Sequence, residues 1–314
     1  MHTTQNRPAH SVSLWPQAPT HYADAVQHGG ITPQPLNKDT TGLIVTGHVD
    51  PDQGLDQVLA QHPQITWVQF PMAGTEAFTR LVQSSPHITF TSAKGLFKEP
   101  VAEHALTLLL AALRDLKVRF TAQSWNHEQS GISLFRRKVG VIGAGGIAQQ
   151  FIDLLAPFAC EVTVFRSTPA PTPGAHQTLT TNELKKHVPQ LDALVVAAPL
   201  TAATEGLIDA EIISAMKPSA VLVNISRGKL VDTEAITHAL TNKAIRAYAT
   251  DVTDPEPLPD SHPLWALENA LITPHTADTQ EMITPLVAER ITANVSAFLT
   301  GGPFEGIIDP HSGY

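Results

Sequence analysis

A glycine-rich turn between an apolar strand and a helical pattern constrains the fold of this chain more than any other feature. Residues 139–142 are apolar and mostly β-branched, which is typical of a buried strand. They run into Gly143-x-Gly145-x-x-Ala148, which opens a helical pattern. In such a turn the first glycine makes the bend, the second lets the backbone approach a pyrophosphate, and a small third residue permits close helix packing. The helix N-terminus offers unpaired N–H groups to phosphates. The segment therefore predicts a dinucleotide-binding unit.

The end of the next predicted strand, residues 161–165, bears on which dinucleotide is bound. Dinucleotide-binding domains usually carry an Asp or Glu there, which binds the ribose hydroxyls of NAD. This chain instead has Arg166 and Ser167. A carboxylate would repel a 2′-phosphate, whereas a guanidinium and a hydroxyl can bind one. We therefore predict that NADP(H) is preferred over NAD(H). The alternative is a solvated arginine, with cofactor choice determined elsewhere.

Composition excludes several classes of protein. At 314 residues the chain is long enough for two domains. A net charge of −9 argues against non-specific nucleic-acid binding. The single Cys160 cannot form an internal disulfide, and residues 1–37 lack the pattern of a signal peptide. The longest apolar run, residues 105–113, is too short to cross a bilayer. The 15 histidines follow no ligand spacing. We expect a cytoplasmic protein with no membrane segment and no metal site.

Short β-rich runs alternate with helical patterns, which indicates a parallel α/β architecture. The predicted strands are Leu43–Thr46, Thr66–Phe70, Ile88–Thr91, Val139–Ile142, Glu161–Phe165, Ala193–Ala198, Val221–Ile225, Ala247–Asp251 and Leu271–Thr273. A long helix is predicted from Glu99 to about Leu116, and a last one over Pro285–Leu299. We predict two doubly wound parallel-sheet domains of the Rossmann type. Residues 1–114 and 281–314 would form a discontinuous substrate domain, into which a dinucleotide-binding domain, residues 115–280, is inserted.

Charged residues follow three of the predicted strands. Ligands of open α/β sheets bind outside the carboxyl ends of the strands, where Arg227, Asp251 and His275 are expected. Arginine matches a carboxylate bidentately, although a structural ion pair is an equally good interpretation of Arg227 from its spacing alone. Glu256 stands between two prolines. A carboxylate beside a histidine stabilises the imidazolium that a proton donor needs. These residues together predict a site that reduces a carbonyl.

Six segments occur in the order found in one enzyme family. They are Val101-Ala-Glu-His-Ala-Leu, Val141-Ile-Gly-Ala-Gly-Gly-Ile, Ala198-Pro-Leu-Thr, Asn224-Ile-Ser-Arg-Gly-Lys-Leu-Val-Asp, Asp251-Val…Pro255-Glu-Pro-Leu and Thr273-Pro-His. Through them the chain resembles the D-isomer-specific 2-hydroxyacid dehydrogenases, and more closely their glyoxylate/hydroxypyruvate-reductase-like branch. The resemblance spans roughly residues 65–295. It implies a homodimer that reduces a small 2-oxoacid to the (R)-2-hydroxyacid, with closure of the two domains excluding water.

The resemblance also implies a role for each residue at a matching position. Arg227 would hold the substrate carboxylate and carbonyl, His275 would be the acid/base, and Glu256 its partner. The Ala73-Gly74 turn would offer N–H groups to the substrate. The cofactor would be bound by Gly143, Gly145, Gly146, Ile147, Arg166, Ser167, Ala198, Pro199, Thr204, Ile225, Ser226 and Asp251.

Three departures from the family pattern leave alternatives open. Thr75-Glu76 follows Gly74 where Val-Asp is common, so the substrate turn is altered. Asp278 follows His275 where small neutral residues are usual, and its carboxylate either weakens anion binding or points to solvent. Lys94 and Lys98 either offset that charge or are surface lysines. The identity of the 2-oxoacid and the physiological direction stay open. A dinucleotide-sensing regulator of the corepressor kind shares this fold and is the alternative function.

Overall fold

The computed structural model describes residues 10–47, 54–125, 127 and 129–310, with the backbone alone for Glu76. The strands are β1 Val12–Trp15, β2 Gly42–Val45, β3 Trp67–Gln69, β4 Thr89–Thr91, β5 Lys138–Ile142, β6 Glu161–Arg166, β7 Gln177–Thr180, β8 Ala193–Val196, β9 Val221–Asn224, β10 Ala247–Thr250 and β11 Ala270–Ile272. The helices are α1 Thr20–His28, α2 Leu55–Gln61, α3 Thr79–Ser84, α4 Lys98–Leu113, α5 Leu116–Phe120, α6 Gly146–Leu155, α7 Leu184–His187, α8 Ala210–Ala215, α9 Thr233–Thr241 and α10 Gln280–Thr300.

By its packing the chain forms two compact units, Met1–Phe97 with Gln280–Tyr314 and Lys98–Thr279. The first unit contains a parallel sheet in the order β1-β2-β3-β4. Apolar side chains cover both of its faces, and α10 packs on α1. Strand β1 and helix α1 lie in the polar, proline-rich N-terminal region, where sequence patterns predicted no element. Helix α10 begins at Gln280, five residues before the predicted start at Pro285. Proline inside a helix removes one backbone hydrogen bond, and the helix continues through it here.

The second unit contains a seven-stranded parallel sheet in the order β11-β10-β9-β8-β5-β6-β7. The chain order reverses between β5 and β8, which places a ligand crevice at the carboxyl ends of these strands. Its central strands are buried on both faces, as expected for a parallel sheet covered by helices. The edge strand β7 is half-buried and largely polar, so it contains no apolar run from which the sequence analysis could predict it. The predicted fold class, α/β with two parallel sheets, is confirmed.

Helix α4 belongs to the second unit. Its apolar residues Val101, Ala105, Leu109 and Ala112 are buried, and the helix packs against α6, β9 and β10. The division of the chain therefore falls before this helix, after residue 97, and not after residue 114 as the sequence predicted. The stripe of apolar residues predicts that the helix is buried, but it does not indicate which sheet covers it. In the described ranges, no helix has the length and apolarity that crossing a membrane requires.

Candidate active site

The turn after β5 has the shape that dinucleotide binding requires. Gly143 has a φ of 105°, and a Cβ there would lie 2.6 Å from the carbonyl oxygen of Ala197. Only glycine fits this position without moving the backbone that follows β8. Gly145 precedes α6, and a Cβ on it would meet nothing within 4 Å. The space above the helix N-terminus is therefore open to a ligand, while the buried Ala148 packs beneath it.

Two further predicted residues begin α6. Gly146 is exposed and Ile147 is partly buried, so both border the open space at the turn. A Cβ on Gly146 would be in ordinary contact with the side chain of Lys98, at 3.6 Å from its Cβ. The stem of the Lys98 side chain thus lies beside the glycine turn.

Arg166 ends β6, the strand next to β5 in the sheet. Its side chain is partly exposed and forms no hydrogen bond or ion pair with the residues that the structure describes. Ser167 follows it and is exposed. A guanidinium and a hydroxyl therefore stand together at this strand end.

The segments after β8 and β9 are tied to each other. The hydroxyl of Ser226 donates a short hydrogen bond to the carbonyl oxygen of Ala198. Thr204 donates to the carbonyl oxygen of Pro199 at 2.6 Å, which closes the turn after β8. Ile225 is buried, and its backbone N–H donates to the carbonyl oxygen of Val196, the last residue of β8, at 3.3 Å. Five of the residues predicted to line the cofactor thus lie on two segments that are hydrogen-bonded to each other.

The turn that carries Arg227 is held by the buried side chain of Asn224. Its amide Nδ2 donates to the carbonyl oxygen of Arg227 at 2.9 Å, and its Oδ1 accepts from the backbone N–H of Ser226 at 3.1 Å. Arg227 Nη1 donates to the carbonyl oxygen of Ser226 at 2.8 Å. A Cβ on Gly228 would lie 2.0 Å from the carbonyl carbon of Thr253. Glycine here therefore allows the arginine turn to pack directly on the loop that leads to Glu256.

The side chains of Glu256 and His275 are hydrogen-bonded to each other. Glu256 Oε1 lies 2.6 Å from Nδ1 of His275, and its Oε2 accepts from the backbone N–H of Thr253 at 3.2 Å. The two side chains are 41% and 50% exposed, so bound molecules and water can reach them. Because Nδ1 is used by this bond, Nε2 is the ring nitrogen that can exchange a proton with a ligand.

Asp251 is buried, with a side chain only 2% exposed, and its carboxylate already has three donors. Oδ1 accepts from the hydroxyl of Thr273 at 2.6 Å and from the backbone N–H of Thr276 at 2.8 Å. Oδ2 accepts from the backbone N–H of Ala277 at 3.0 Å. The sequence predicted a cofactor contact for this residue. The structure shows that its carboxylate binds the segment that follows His275.

Burial raises the pKa of the Asp278 carboxyl, His275 lowers it, and Asp251 raises it further. Asp278 is partly buried, and its carboxyl interacts electrostatically with both residues. Ala73 and Gly74 belong to the first unit, between β3 and α3, and both are partly buried.

Over the part of the chain with described coordinates, no group of three or more His, Cys, Asp or Glu residues could hold a metal ion.

Comparison with known proteins identifies the family. Residues 105–277, more than half of the chain, match the family described as "D-isomer specific 2-hydroxyacid dehydrogenase, NAD binding domain". The chain therefore belongs to the D-isomer specific 2-hydroxyacid dehydrogenase family, and is an NAD(P)-dependent dehydrogenase of that family. The match covers the glycine turn and the segments that carry Arg227, Glu256 and His275.

Curated relatives share between a third and two fifths of the aligned residues. An uncharacterised protein of the proB 3′ region of Corynebacterium melassecola is 37% identical over 255 residues, 80% of this chain and 84% of that protein. D-3-phosphoglycerate dehydrogenase of Mycobacterium bovis is 35% identical over 198 residues, 60% of this chain and 37% of the relative. Human glyoxylate reductase/hydroxypyruvate reductase is 35% identical over 216 residues, 65% of each chain. The match thus spans less than two thirds of either named enzyme.

A solved structure agrees over nearly the whole chain. The D-isomer specific 2-hydroxyacid dehydrogenase of Xanthobacter autotrophicus Py2, in complex with NADPH and MES, superposes with a TM-score of 0.81. It is 25% identical, and the match covers 97% of this chain and 99% of that one.

Proposed function

We propose that this protein is a reductase of small 2-oxoacids of the glyoxylate/hydroxypyruvate type, prefers NADPH, and forms the (R)-2-hydroxyacid. The observation that carries the proposal is the 2.6 Å contact between Glu256 and His275. The loop that bears Glu256 packs against the Arg227 turn through Gly228. A proton donor, its anionic partner and a guanidinium thus follow neighbouring strands, as reduction of a carboxylate-bearing carbonyl compound requires.

The residues present fit a dinucleotide. The open space above Gly145 and the N-terminus of α6 would receive the pyrophosphate, with Gly143, Gly146 and Ile147 around it. When bound, the reduced cofactor supplies a hydride to the C2 carbonyl of the substrate. The other proposed contacts are Arg166 and Ser167 to the 2′-phosphate; Ala198, Pro199 and Thr204 to the adenosine side; and Ile225, Ser226 and Asp251 to the nicotinamide side. The NADPH in the Xanthobacter relative supports the proposed preference.

The chain's own residues would then bind the substrate and supply the proton. Arg227 would hold the substrate carboxylate and stabilise the negative charge that develops on the carbonyl oxygen, an effect worth several kcal/mol in a water-excluded site. His275 would donate the Nε2 proton to that oxygen. Glu256 would hold the imidazole through Nδ1 and stabilise its protonated form. Backbone N–H groups of Ala73 and Gly74 would bind the substrate carboxylate.

We also propose that the protein is a homodimer in the cytoplasm. The second unit exposes large apolar side chains close together in sequence, among them Phe120 at 81% and Trp125 at 85%. Val118 and Phe135 are also exposed. Apolar surface of this kind is typical of protein–protein contacts. Sedimentation analysis of the protein and of Phe120→Glu tests the dimer, which the variant should weaken.

The initial rate of cofactor oxidation against a panel of 2-oxoacids tests the function, with NADPH and NADH measured in parallel. We expect turnover of glyoxylate or hydroxypyruvate, faster with NADPH, and its loss in His275→Asn. Turnover with NADH alone would keep the reaction and contradict the cofactor preference. Tight dinucleotide binding without turnover of any 2-oxoacid would favour a dinucleotide-sensing regulator, which the presence of Arg227, Glu256 and His275 argues against.

Arg166→Asp tests the cofactor preference directly. Loss of charge-assisted hydrogen bonds to the 2′-phosphate should weaken NADPH binding by about 1–3 kcal/mol and leave NADH binding nearly unchanged. Arg80→Asp is the matched control, because it makes the same charge change on an exposed side chain of the first unit. Titration of cofactor fluorescence measures both affinities. An unchanged ratio of the two affinities in Arg166→Asp would refute the role of Arg166.

A further inference from the structure

A histidine on α4 reaches the segment that carries His275. The side chain of His104 is 19% exposed, and its Nε2 lies 2.9 Å from the hydroxyl oxygen of Thr273. The same nitrogen is 3.6 Å from Oδ1 of the buried Asp251. His104 has no place among the proposed cofactor and substrate contacts, although Asp251 is one of them.

The donors and acceptors of this cluster can be assigned from its chemistry. An ionised carboxylate only accepts hydrogen bonds, so the hydroxyl proton of Thr273 points to Asp251, 2.6 Å away. The oxygen of Thr273 must then accept the hydrogen bond from His104, which requires a proton on Nε2. The three side chains therefore form a directed series, from His104 through Thr273 to Asp251.

Asp251 connects this hydrogen-bonded series to the turn at His275. Its carboxylate accepts from the backbone N–H groups of Thr276 and Ala277, and its carbonyl oxygen accepts from the N–H of His275 at 2.8 Å. His275 has a φ of 53°, in the left-handed region that non-glycine residues rarely adopt. Such a conformation persists only where surrounding contacts determine it. Asp251 supplies three of the contacts here, and the N–H of His275 also donates to the carbonyl oxygen of Thr273 at 3.0 Å.

We propose that His104 is a positioning residue of the reaction, which fixes Asp251 through Thr273 and thereby holds the turn that presents His275 to Glu256. The inference rests on the proposed role of His275 as the proton donor. Displacement of a reacting group by a fraction of an ångström lowers the rate of the chemical step, while ground-state binding of the cofactor changes little. The effect of losing His104 should therefore appear in kcat more than in the affinity for the cofactor.

His104→Leu and His104→Gln form the first test. Leucine removes the donor, whereas the side-chain amide of glutamine places an N–H near the position of Nε2. We expect His104→Leu to lower kcat roughly 10- to 100-fold with little change in cofactor affinity, and His104→Gln to recover most of the loss. His238→Leu, on an exposed face of α9, is the matched control and should behave as the original protein. Equal losses in the two His104 variants would overturn the proposal.

Two further measurements separate this inference from the proposed function. Thr273→Val breaks the series at its middle, so adding His104→Leu to it should cause no further loss of kcat; additive losses would overturn the proposal. Hydrogen exchange of the Thr276 and Ala277 amides needs no substrate, and should be about tenfold faster in His104→Leu but not in His104→Gln. Unchanged exchange would overturn the proposal. Faster exchange in a protein that reduces no 2-oxoacid would support the positioning of the turn and refute the reductase.

Discussion

Asp251 and Glu256 lie five residues apart, and both hold the segment around His275, yet their surroundings differ. Glu256 is 41% exposed and binds the imidazole itself, whereas Asp251 is 2% exposed and binds the backbone beyond it. A half-exposed carboxylate keeps contact with water and can respond to changes in the charge of its partner. A buried carboxylate with three donors is costly to disturb. The comparison teaches that the exposed acid contacts the imidazole that would do the chemistry, whereas the buried acid holds the backbone of the turn.

Removing the group that both acids support should have the largest effect. Asparagine is among the residues that best tolerate a left-handed backbone, so His275→Asn deletes the proposed proton donor with little change in the turn. We expect kcat to fall roughly 10²- to 10⁴-fold, the usual contribution of general acid catalysis. Steady-state kinetics check this, with cofactor binding as the control. A variant that retains most of its activity would show that His275 is not the proton donor.

Breaking the buried acid should change stability as well as activity. Asp251→Asn keeps one acceptor oxygen, but turns an N–H donor toward the donors of Thr273, Thr276 or Ala277. We expect the free energy of unfolding, measured in urea, to fall by about 1–3 kcal/mol, the penalty for unsatisfied buried polar groups. We also expect a lower kcat. If Asp251→Asn changed only cofactor affinity, with stability intact, the carboxylate would serve the nicotinamide side and not the turn.

Sequence patterns predicted the residues at the carboxyl ends of the strands, but they did not predict the hydrogen-bonded series that begins at His104. The glycine turn and the residues after each strand are local signals, so their position at the sheet edge follows from strand order. The series of His104, Thr273 and Asp251 joins residues almost 170 positions apart and has no local pattern. One signal was present: His104 lies on the same helix face as Val101, Ala105 and Leu108, and a polar residue in an apolar stripe needs a buried partner.

The left-handed turn at His275 could not be predicted either, because a histidine in a sequence does not indicate a positive φ as a glycine does. The assignment of α4 to the second unit depends on which sheet covers its apolar face, and a periodic pattern contains no such information. What can be predicted is thus the local geometry of each element. The contacts between elements by which Asp251 holds the turn after His275 appear only in the folded chain.

Altering the exposed acid should leave stability intact and change the pH dependence. Glu256→Gln keeps a hydrogen-bond acceptor for Nδ1 but removes the charge that stabilises the imidazolium. We expect a stability change within about 0.5 kcal/mol. The rate at neutral pH should fall about tenfold, with the active limb displaced to lower pH. Rates measured across the pH range test this, and an unaltered profile would show that the pair is not coupled during turnover.

The smallest effect is expected from the third acid near His275. Burial, and then Asp251, raise the pKa of Asp278 against the opposing effect of His275. A carboxyl whose folded-state pKa is raised contributes its full stability below its unfolded value, near pH 4, and loses it as the pH rises through the folded value. Asp278→Asn should therefore be slightly more stable than the original protein at neutral pH, with the difference vanishing in acid.

The same variant should bind an anionic substrate more tightly, since it removes a negative charge beside the proposed site. We expect KM for the 2-oxoacid to fall a few-fold, the scale of about 1 kcal/mol for a partly screened charge. Asp260→Asn, on an exposed loop residue, makes the same charge change at another position and is the control. The test is to measure, for both variants, the melting temperature as a function of pH and the KM for the 2-oxoacid. Identical behaviour of the two would show that Asp278 neither resists folding at neutral pH nor repels the substrate, and that only two acids act on His275.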